Sequence, residues 1–178
     1  MVAFDIAQFF PSLNHSILTT ILQHSGFTDC IISFFSHYLI GRSTQYSWNS
    51  FLSNAYDIDV GVGQGLALFL ILSTFYIVPI LHLFERQAQV LNLDSFILLF
   101  IDDGLLVSQR KTYNKTLLEL ISDYRIAIDL LVLFGLVMKH DKSEVFHFSR
   151  VHNDSNPELD LSAISAPTLK PKTYWQYC

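Results

Sequence analysis

Two acidic sites, each directly after a short apolar run, constrain the fold of this chain more than any other feature. Asp5 follows Val-Ala-Phe near the start, and Asp102-Asp103 follows the apolar residues 96–101. Runs of this length are typical of buried strands, whereas an ionised carboxylate resists leaving water unless it is paired. The strands must therefore end where the acids meet solvent or a counter-charge, and a bound cation is the usual reason for such a cluster.

Hydrophobic periodicity predicts an α+β fold in which a small antiparallel sheet is backed by helices. The sheet would set the Asp5 strand beside the hairpin that carries Asp102 and Asp103. Thr28 and Thr112 stand at predicted helix N-caps. Beyond residue 149 we expect a loop-rich tail. Strands are predicted at residues 2–6, 43–48, 55–60, 96–101, 104–108 and 144–148, and helices at 16–23, 29–40, from the Gly-rich loop to about 89, and 112–134.

Length and charge limit what the chain could do alone. Its 178 residues fit one domain with a sizeable core. The formal net charge is −5, and no Lys or Arg precedes Arg42. Because phosphate contacts depend on basic side chains, this balance argues against a self-sufficient nucleic-acid enzyme. Two cysteines, Cys30 and Cys178, make neither a zinc cluster nor a disulfide framework.

One apolar segment leaves the membrane question open. No Asp, Glu, Lys or Arg occurs between Val60 and Phe84, and about 20 apolar residues suffice to span a bilayer as a helix. The Gly-rich start of the segment and Pro79 and His82 inside it count against a span. A buried core helix explains the composition about as well.

Four stretches, in this order, resemble motifs A to D of reverse transcriptases of the non-LTR retrotransposon type found in fungal elements. Motif A is similar in residues 4–15, from Asp5 through Phe10 to Pro-Ser-Leu-Asn-His, and motif B in the Gly-rich residues 60–65. Motif C is similar in residues 100–104, and motif D in residues 134–148. The resemblance covers most of the chain, to the Tyr-Trp-Gln-Tyr near its end.

The resemblance implies a polymerase palm-like domain over residues 1–149. Residues 150–178 would be the loop-rich tail, ending at the start of a primer-grip-like motif, with fingers and thumb missing. The implied activity is RNA-directed DNA synthesis by two-metal nucleotidyl transfer. Its partners would be an RNA template, a DNA primer and a deoxynucleoside triphosphate, with no small-molecule cofactor.

The same resemblance assigns roles to individual residues of motifs A and C. Asp5 and Asp102 would bridge two Mg²⁺ ions, and Asp103 would assist as the second member of its pair. The Ile6 carbonyl would help to hold the nucleotide-bound metal. Mg²⁺ prefers hard oxygen ligands of this kind, and two ions would stabilise the attacking and leaving oxygens.

Four further residues would contact substrate according to the resemblance. Phe10 would crowd a ribose 2′-hydroxyl and so favour deoxynucleotides. Gln64 and Gly65 would pack against the template and the incoming base, since glycine permits close backbone approach. Lys142 would neutralise or protonate the departing pyrophosphate. The alternatives are a core aromatic for Phe10 and a solvated surface side chain for Lys142.

Motif B departs from the family pattern, so we expect a partly degenerate chain that is inactive in isolation. Leu66, Phe69 and Leu70 stand where related elements have Ser, Ser and Pro. We hypothesise decay by cytosine-to-thymine changes, which codons not reachable in one such step would refute. Two alternatives remain: a small membrane protein with a helix at Leu66–Phe84, and a non-catalytic nucleic-acid-binding remnant.

Overall fold

The structure, a computed structural model, describes residues 1–63, 67–149, 160 and 171–175 of the chain. The chain forms two compact units. Residues Met1–Ala7 and Ile77–Cys178 make up one, here called the sheet unit, and residues Gln8–Tyr76 make up the other, the helical unit. In chain order the elements are β1 (Val2–Ala7), α1 (Phe9–Ser12), α2 (His15–His24), α3 (Asp29–Leu39), β2 (Ser43–Thr44), β3 (Ser47–Trp48), β4 (Phe51–Leu52), β5 (Tyr56–Asp57), α4 (Ala67–Val90), β6 (Ser95–Phe100), β7 (Asp103–Ser108), α5 (Tyr113–Leu133), β8 (Val137–Ser149) and β9 (Pro171–Trp175).

A five-stranded sheet in the order β6-β7-β1-β8-β9 forms the centre of the sheet unit. The first four strands pair antiparallel, and β9 joins β8 in parallel. The sheet buries one face. Along β1, buried and half-buried residues alternate strictly, as expected for a strand with one face on a core. The buried face carries Val2, Phe4, Ile6, Ile97, Leu106, Met138 and Val145.

The opposite face of the sheet is open, and it carries the acids of interest. Asp5 on β1 and Asp103 on β7 are paired in register, so their side chains project from the same face. On β6 the same face presents Leu98 and Phe100, which are 54% and 73% exposed. The described part of the sheet thus combines an apolar surface with carboxylates at one end.

Helix α5 packs on the buried face through a stripe at helical spacing. Leu120, Tyr124, Ala127 and Leu131 are all nearly inaccessible to solvent, and positions three or four apart lie on one side of a helix. The helix ends as predicted at Gly135, whose φ of +75° favours glycine. Leu136 N–H then donates to Leu131 O at 2.8 Å, which closes the last turn.

The helical unit contains α1 to α3, four short strands and the first part of α4. The short strands form two two-stranded ladders, β2 with β5 and β3 with β4. They replace the two longer strands expected over residues 43–48 and 55–60. Thr28 stands at the predicted N-cap of α3, but its side chain makes no capping hydrogen bond, and the same holds for Thr112 at α5.

Helix α4 is the apolar segment singled out above. By length and composition alone, Leu68–Val90 is the one helix among the described residues that could cross a membrane. Residues on one side of this helix are buried within the protein, as in a core helix. These are Phe69, Leu72, Tyr76, Ile77, Ile80, Phe84 and Ala88, at spacings of one, three or four.

Two strands differ from the expectation. β8 begins at Val137 instead of residue 144. The prediction was too short because polar residues around an irregularity interrupt the alternation of apolar and polar side chains. Residues Pro171–Trp175, expected as loop, form the strand β9. A prolyl residue is tolerated at the first position of an edge strand, so the Pro-rich composition misled the prediction there.

Candidate carboxylate site

The adjacency of the two acidic sites is confirmed. β1 pairs antiparallel with β7, with Phe4 opposite Gly104 and Asp5 opposite Asp103. Ile6 N–H also donates to the Asp102 carbonyl at 2.7 Å. Backbone pairing therefore holds the three aspartates at one end of the sheet.

The turn between β6 and β7 lies one residue earlier in the chain than the sequence suggested. Phe100 pairs with Asp103, so the two turn residues are Ile101 and Asp102, and Asp103 already belongs to β7. Ile101 has a φ of +57°, where a β-branched residue is an outlier. Glycine normally takes this position in a two-residue hairpin. The consequence is that Asp103, and not Asp102, lies directly opposite Asp5.

Both carboxylate oxygens of Asp5 contact lysines of β8. Lys139 Nζ lies 3.1 Å from Asp5 Oδ1, and Lys142 Nζ lies 3.2 Å from Asp5 Oδ2. The side chain of Asp5 is 21% exposed, that of Lys139 33% and that of Lys142 56%. The pair is thus neither fully buried nor freely solvated, and the counter-charge expected beside this strand is supplied by the protein itself.

The ion pairs shift the pKa values of the groups involved. Burial raises the pKa of Asp5, but hydrogen bonds and charges from Lys139 and Lys142 outweigh burial and lower it overall. The hydrogen bond to Asp5, followed by its charge, raises the pKa of Lys142. Both shifts favour the charged forms.

The contacts of Asp5 bear on whether these residues could hold Mg²⁺. The donor chemistry is suitable, because Asp5 and Asp103 offer carboxylate oxygens from neighbouring strands. However, each oxygen of Asp5 already contacts an ammonium group. Among the described residues, no three His, Cys, Asp or Glu side chains gather closely enough to hold a metal ion.

An irregularity in β8 brings the second lysine to Asp5. While β1 advances two positions, from Ala3 to Asp5, β8 covers five, from Glu144 back to Lys139. β8 therefore carries three extra residues, and such insertions bend a strand and re-aim its side chains. Lys139 sits opposite Asp5 in register, and Lys142 lies within the insertion.

A buried tyrosine ties this insertion to helix α5. The Tyr124 hydroxyl lies 2.9 Å from His140 Nδ1 and 3.1 Å from Ser143 Oγ. Ser143 Oγ in turn donates to the Lys139 carbonyl at 3.3 Å. The sequence indicated no functional role for Tyr124 or His140. Their contacts form only in the folded protein, so the sequence around each residue does not predict them.

The other candidate residues lie in the helical unit or outside the described residues. Phe10 is half-buried, and its carbonyl accepts from Val62 N–H at 2.9 Å. Gly61 has a φ of +86°, and a Cβ there would lie 2.5 Å from the Pro11 carbonyl oxygen. The motif A segment after β1 and the start of the Gly-rich loop thus pack closely, and only glycine fits. Gln64 and Gly65 lie outside the described residues.

A second buried acid, Asp123 on α5, was missed by sequence reasoning. Its side chain is fully buried, and Ser95 Oγ donates to Asp123 Oδ1 at 2.8 Å. Its pKa is raised to about 6, chiefly by burial. The hydrogen bond from Ser95 lowers the pKa, whereas repulsion from the charge of Glu119 raises it. Glu119 is bound by Arg110, whose Nη2 lies 2.6 Å from Glu119 Oε1. This group lies where β6 begins and β7 ends, away from the turn.

No protein-family model matches the sequence, and no curated protein is similar to it at a significant level. Solved structures are similar in fold. Apo telomerase from Candida tropicalis aligns over 95% of this chain and 32% of its own, with a TM-score of 0.59 and 14% identity. The same telomerase truncated from its C-terminal domain aligns over 80% of this chain and 29% of its own, with a TM-score of 0.54 and 18% identity.

These identities support a statement about fold and nothing finer. The chain spans less than a third of the telomerase chains to which it is similar. Its mixed architecture of helices and a small, mostly antiparallel sheet agrees with theirs. The chain therefore has a reverse transcriptase-like fold.

Proposed function

We propose that this chain is a palm segment of a retroelement reverse transcriptase of the non-LTR type. Its ancestor would have copied an RNA template into DNA from a primer, using deoxynucleoside triphosphates and two Mg²⁺ ions. The observation that carries the proposal is the register of Asp5 with Asp103 at one end of an open sheet face. The ordered motifs of the sequence and the similarity to telomerase in fold support it.

The isolated chain is proposed to be inactive. Catalysis by two Mg²⁺ ions requires free carboxylate oxygens, yet both oxygens of Asp5 are ion-paired with lysines. The net charge of −5 gives weak electrostatic attraction for a primer–template. Within this proposal, Phe10, Gln64, Gly65 and Lys142 keep the roles implied by the resemblance.

The test is made on the reading frame extended by its genomic flanks. We expect in-frame polymerase-like sequence on both sides, and Mg²⁺-dependent primer extension by the longer protein. Asp5→Asn and Asp102→Asn should each abolish extension, while Asp129→Asn, at an exposed position of α5, should leave it unchanged. Extension that survives Asp102→Asn would refute the proposal. Stop codons in both flanks would make the chain a relic of a lost activity.

The membrane alternative has one observation in its favour, the apolar length of α4. Ile71 tests it, because this side chain is 56% exposed in the fold whereas Phe84 on the same helix is fully buried. A core helix tolerates Ile71→Asp and is disrupted by Phe84→Asp. A membrane span is disrupted by either charge. We expect Ile71→Asp to leave the chain folded and soluble without detergent, as judged by sedimentation and circular dichroism.

The remaining alternative is a remnant that binds nucleic acid without chemistry. Binding of this kind depends on phosphate contacts and falls steeply with salt. Filter binding of an RNA–DNA duplex at low salt would reveal it. We expect weak binding, since acidic residues outnumber basic ones.

A further inference from the structure

The lysine pair at Asp5 is placed by the backbone of β8. Lys139 is fixed by backbone pairing, because it lies opposite Asp5 in register between β1 and β8. Lys142 lies in the three-residue insertion of β8. The Tyr124 hydroxyl contacts His140 and Ser143 of this insertion. The register and the insertion together place one ammonium group at each oxygen of the same carboxylate.

The two ammonium groups more than neutralise the one carboxylate of Asp5 without any ligand. Two ammonium groups lie 3.1 and 3.2 Å from the carboxylate oxygens, and at such distances Coulomb attraction is strong wherever water is partly excluded. A divalent cation would have to approach the same two oxygens, and both ammonium groups would repel it. The lysine contacts thus compete with cation binding at Asp5.

We propose that Lys139 and Lys142 are built-in counter-cations of Asp5, and that a divalent cation binds this carboxylate only by displacing them. The inference rests on the proposed function, since it concerns the same carboxylate, and extends it with a residue that the resemblance does not assign. Lys139 becomes a positioning residue that sets the cation affinity of the site. The fold itself is then independent of metal.

The experiment measures Mn²⁺ binding to the full chain. Paramagnetic broadening of the backbone amide signals of residues 4–6 reports binding at Asp5, and a titration gives the Kd. Lys139→Gln with Lys142→Gln should lower the Kd about tenfold, with about threefold from each lysine, as expected for partly exposed ion pairs. Lys111→Gln with Lys115→Gln changes the net charge equally at exposed positions, and should lower the Kd less than twofold.

Asp5→Asn identifies the ligand, since it should remove the broadening in both the wild-type and the double-lysine background. If the glutamine variant does not fold, Lys139→Met with Lys142→Met retains the aliphatic stems and replaces it. A Kd unchanged by removing the lysines, or changed equally by the matched pair, overturns the inference. So does the absence of Asp5-dependent broadening in the double variant.

Failure of this inference and failure of the proposed function give different results. The titration contains neither nucleotide nor primer, so it reads out only the competition at Asp5. Loss of primer extension in the longer protein would leave the Mn²⁺ result standing. Conversely, a Kd for Mn²⁺ that does not change when the lysines are replaced would refute their role as counter-cations. The polymerase proposal would be unaffected, because primer extension tests it separately.

Discussion

Single residues decide what the ends of β1 and β7 can do. Asp5 is partly buried, which raises its pKa, but hydrogen bonds and charges from two lysines outweigh burial and lower the pKa overall. Ile101 holds a backbone conformation that costs free energy in a β-branched residue. Strain and ion pairing thus occur together at the end of the sheet where the resemblance places chemistry.

Gly104, next to the acidic pair, gives the first prediction. A Cβ at this position would overlap the ring of Phe4, which is buried and paired opposite it. Gly104→Ala should therefore lower the free energy of unfolding by about 1–3 kcal/mol through overpacking, measured by urea denaturation. Adding Phe4→Leu should recover part of the loss, because the two sites are in contact. Strictly additive effects would contradict the packing described here.

Asp123 gives a prediction about pH. Its pKa is raised to about 6 in the folded protein, against about 3.9 when unfolded. Between these values the folded state holds a proton that the unfolded state releases. Stability from this group is therefore present below pH 4 and lost as the pH rises through 6. We expect the wild type to lose about 1–3 kcal/mol between pH 4 and 7 from this source.

Asp123→Asn should remove that pH dependence while keeping an acceptor for Ser95. Burial also lowers the pKa of the Met1 amino group to about 6, so the difference between wild type and variant is the quantity to compare. Asp129→Asn, at an exposed position of the same helix, is the matched control and should keep the wild-type profile. Identical profiles for wild type and Asp123→Asn would show that Asp123 does not titrate in this range.

At the scale of elements, the insertion in β8 distinguishes this sheet from a regular one. Three extra residues opposite Phe4 bring Lys142 to Asp5, and Tyr124 of α5 contacts two of the inserted region's side chains. The strand and the helix therefore act together on a residue of β1.

Tyr124→Phe tests this coupling. It removes a buried hydroxyl with two partners, so the free energy of unfolding should fall by about 1–3 kcal/mol. Chemical denaturation measures the loss. Tyr56→Phe, at an exposed position, should change stability by less than about 0.5 kcal/mol. An equal effect of the two substitutions would mean that the Tyr124 hydroxyl does not hold the insertion.

The sequence was sufficient for the elements with unbroken periodicity. The hairpin of β6 and β7, the helices α2 to α5 and the strand β1 lie within a few residues of their predicted bounds. The contacts of the site were harder to predict from the sequence. Lys139 and Asp5 are 134 positions apart, and their contact depends on a register that the inserted residues set. Nothing local to either residue predicts it.

For the whole molecule, the fold is similar to that of a polymerase, whereas the ion pairs at Asp5 oppose metal binding. The reverse transcriptase-like fold is supported by the structural similarity to telomerase. Asp5, one of the carboxylates that the resemblance assigns to Mg²⁺, is ion-paired through both oxygens with lysines of β8. A sequence keeps its fold as long as its core packs, whereas catalysis depends on a few polar atoms being free.

The decisive measurement is primer extension by the isolated chain on an RNA template, with Mg²⁺ or Mn²⁺. We expect no product above the level given by Asp102→Asn, because Asp5 is held by Lys139 and Lys142. Product made by the wild-type chain and abolished by Asp102→Asn would show a competent polymerase, and the proposed inactivity would then be wrong.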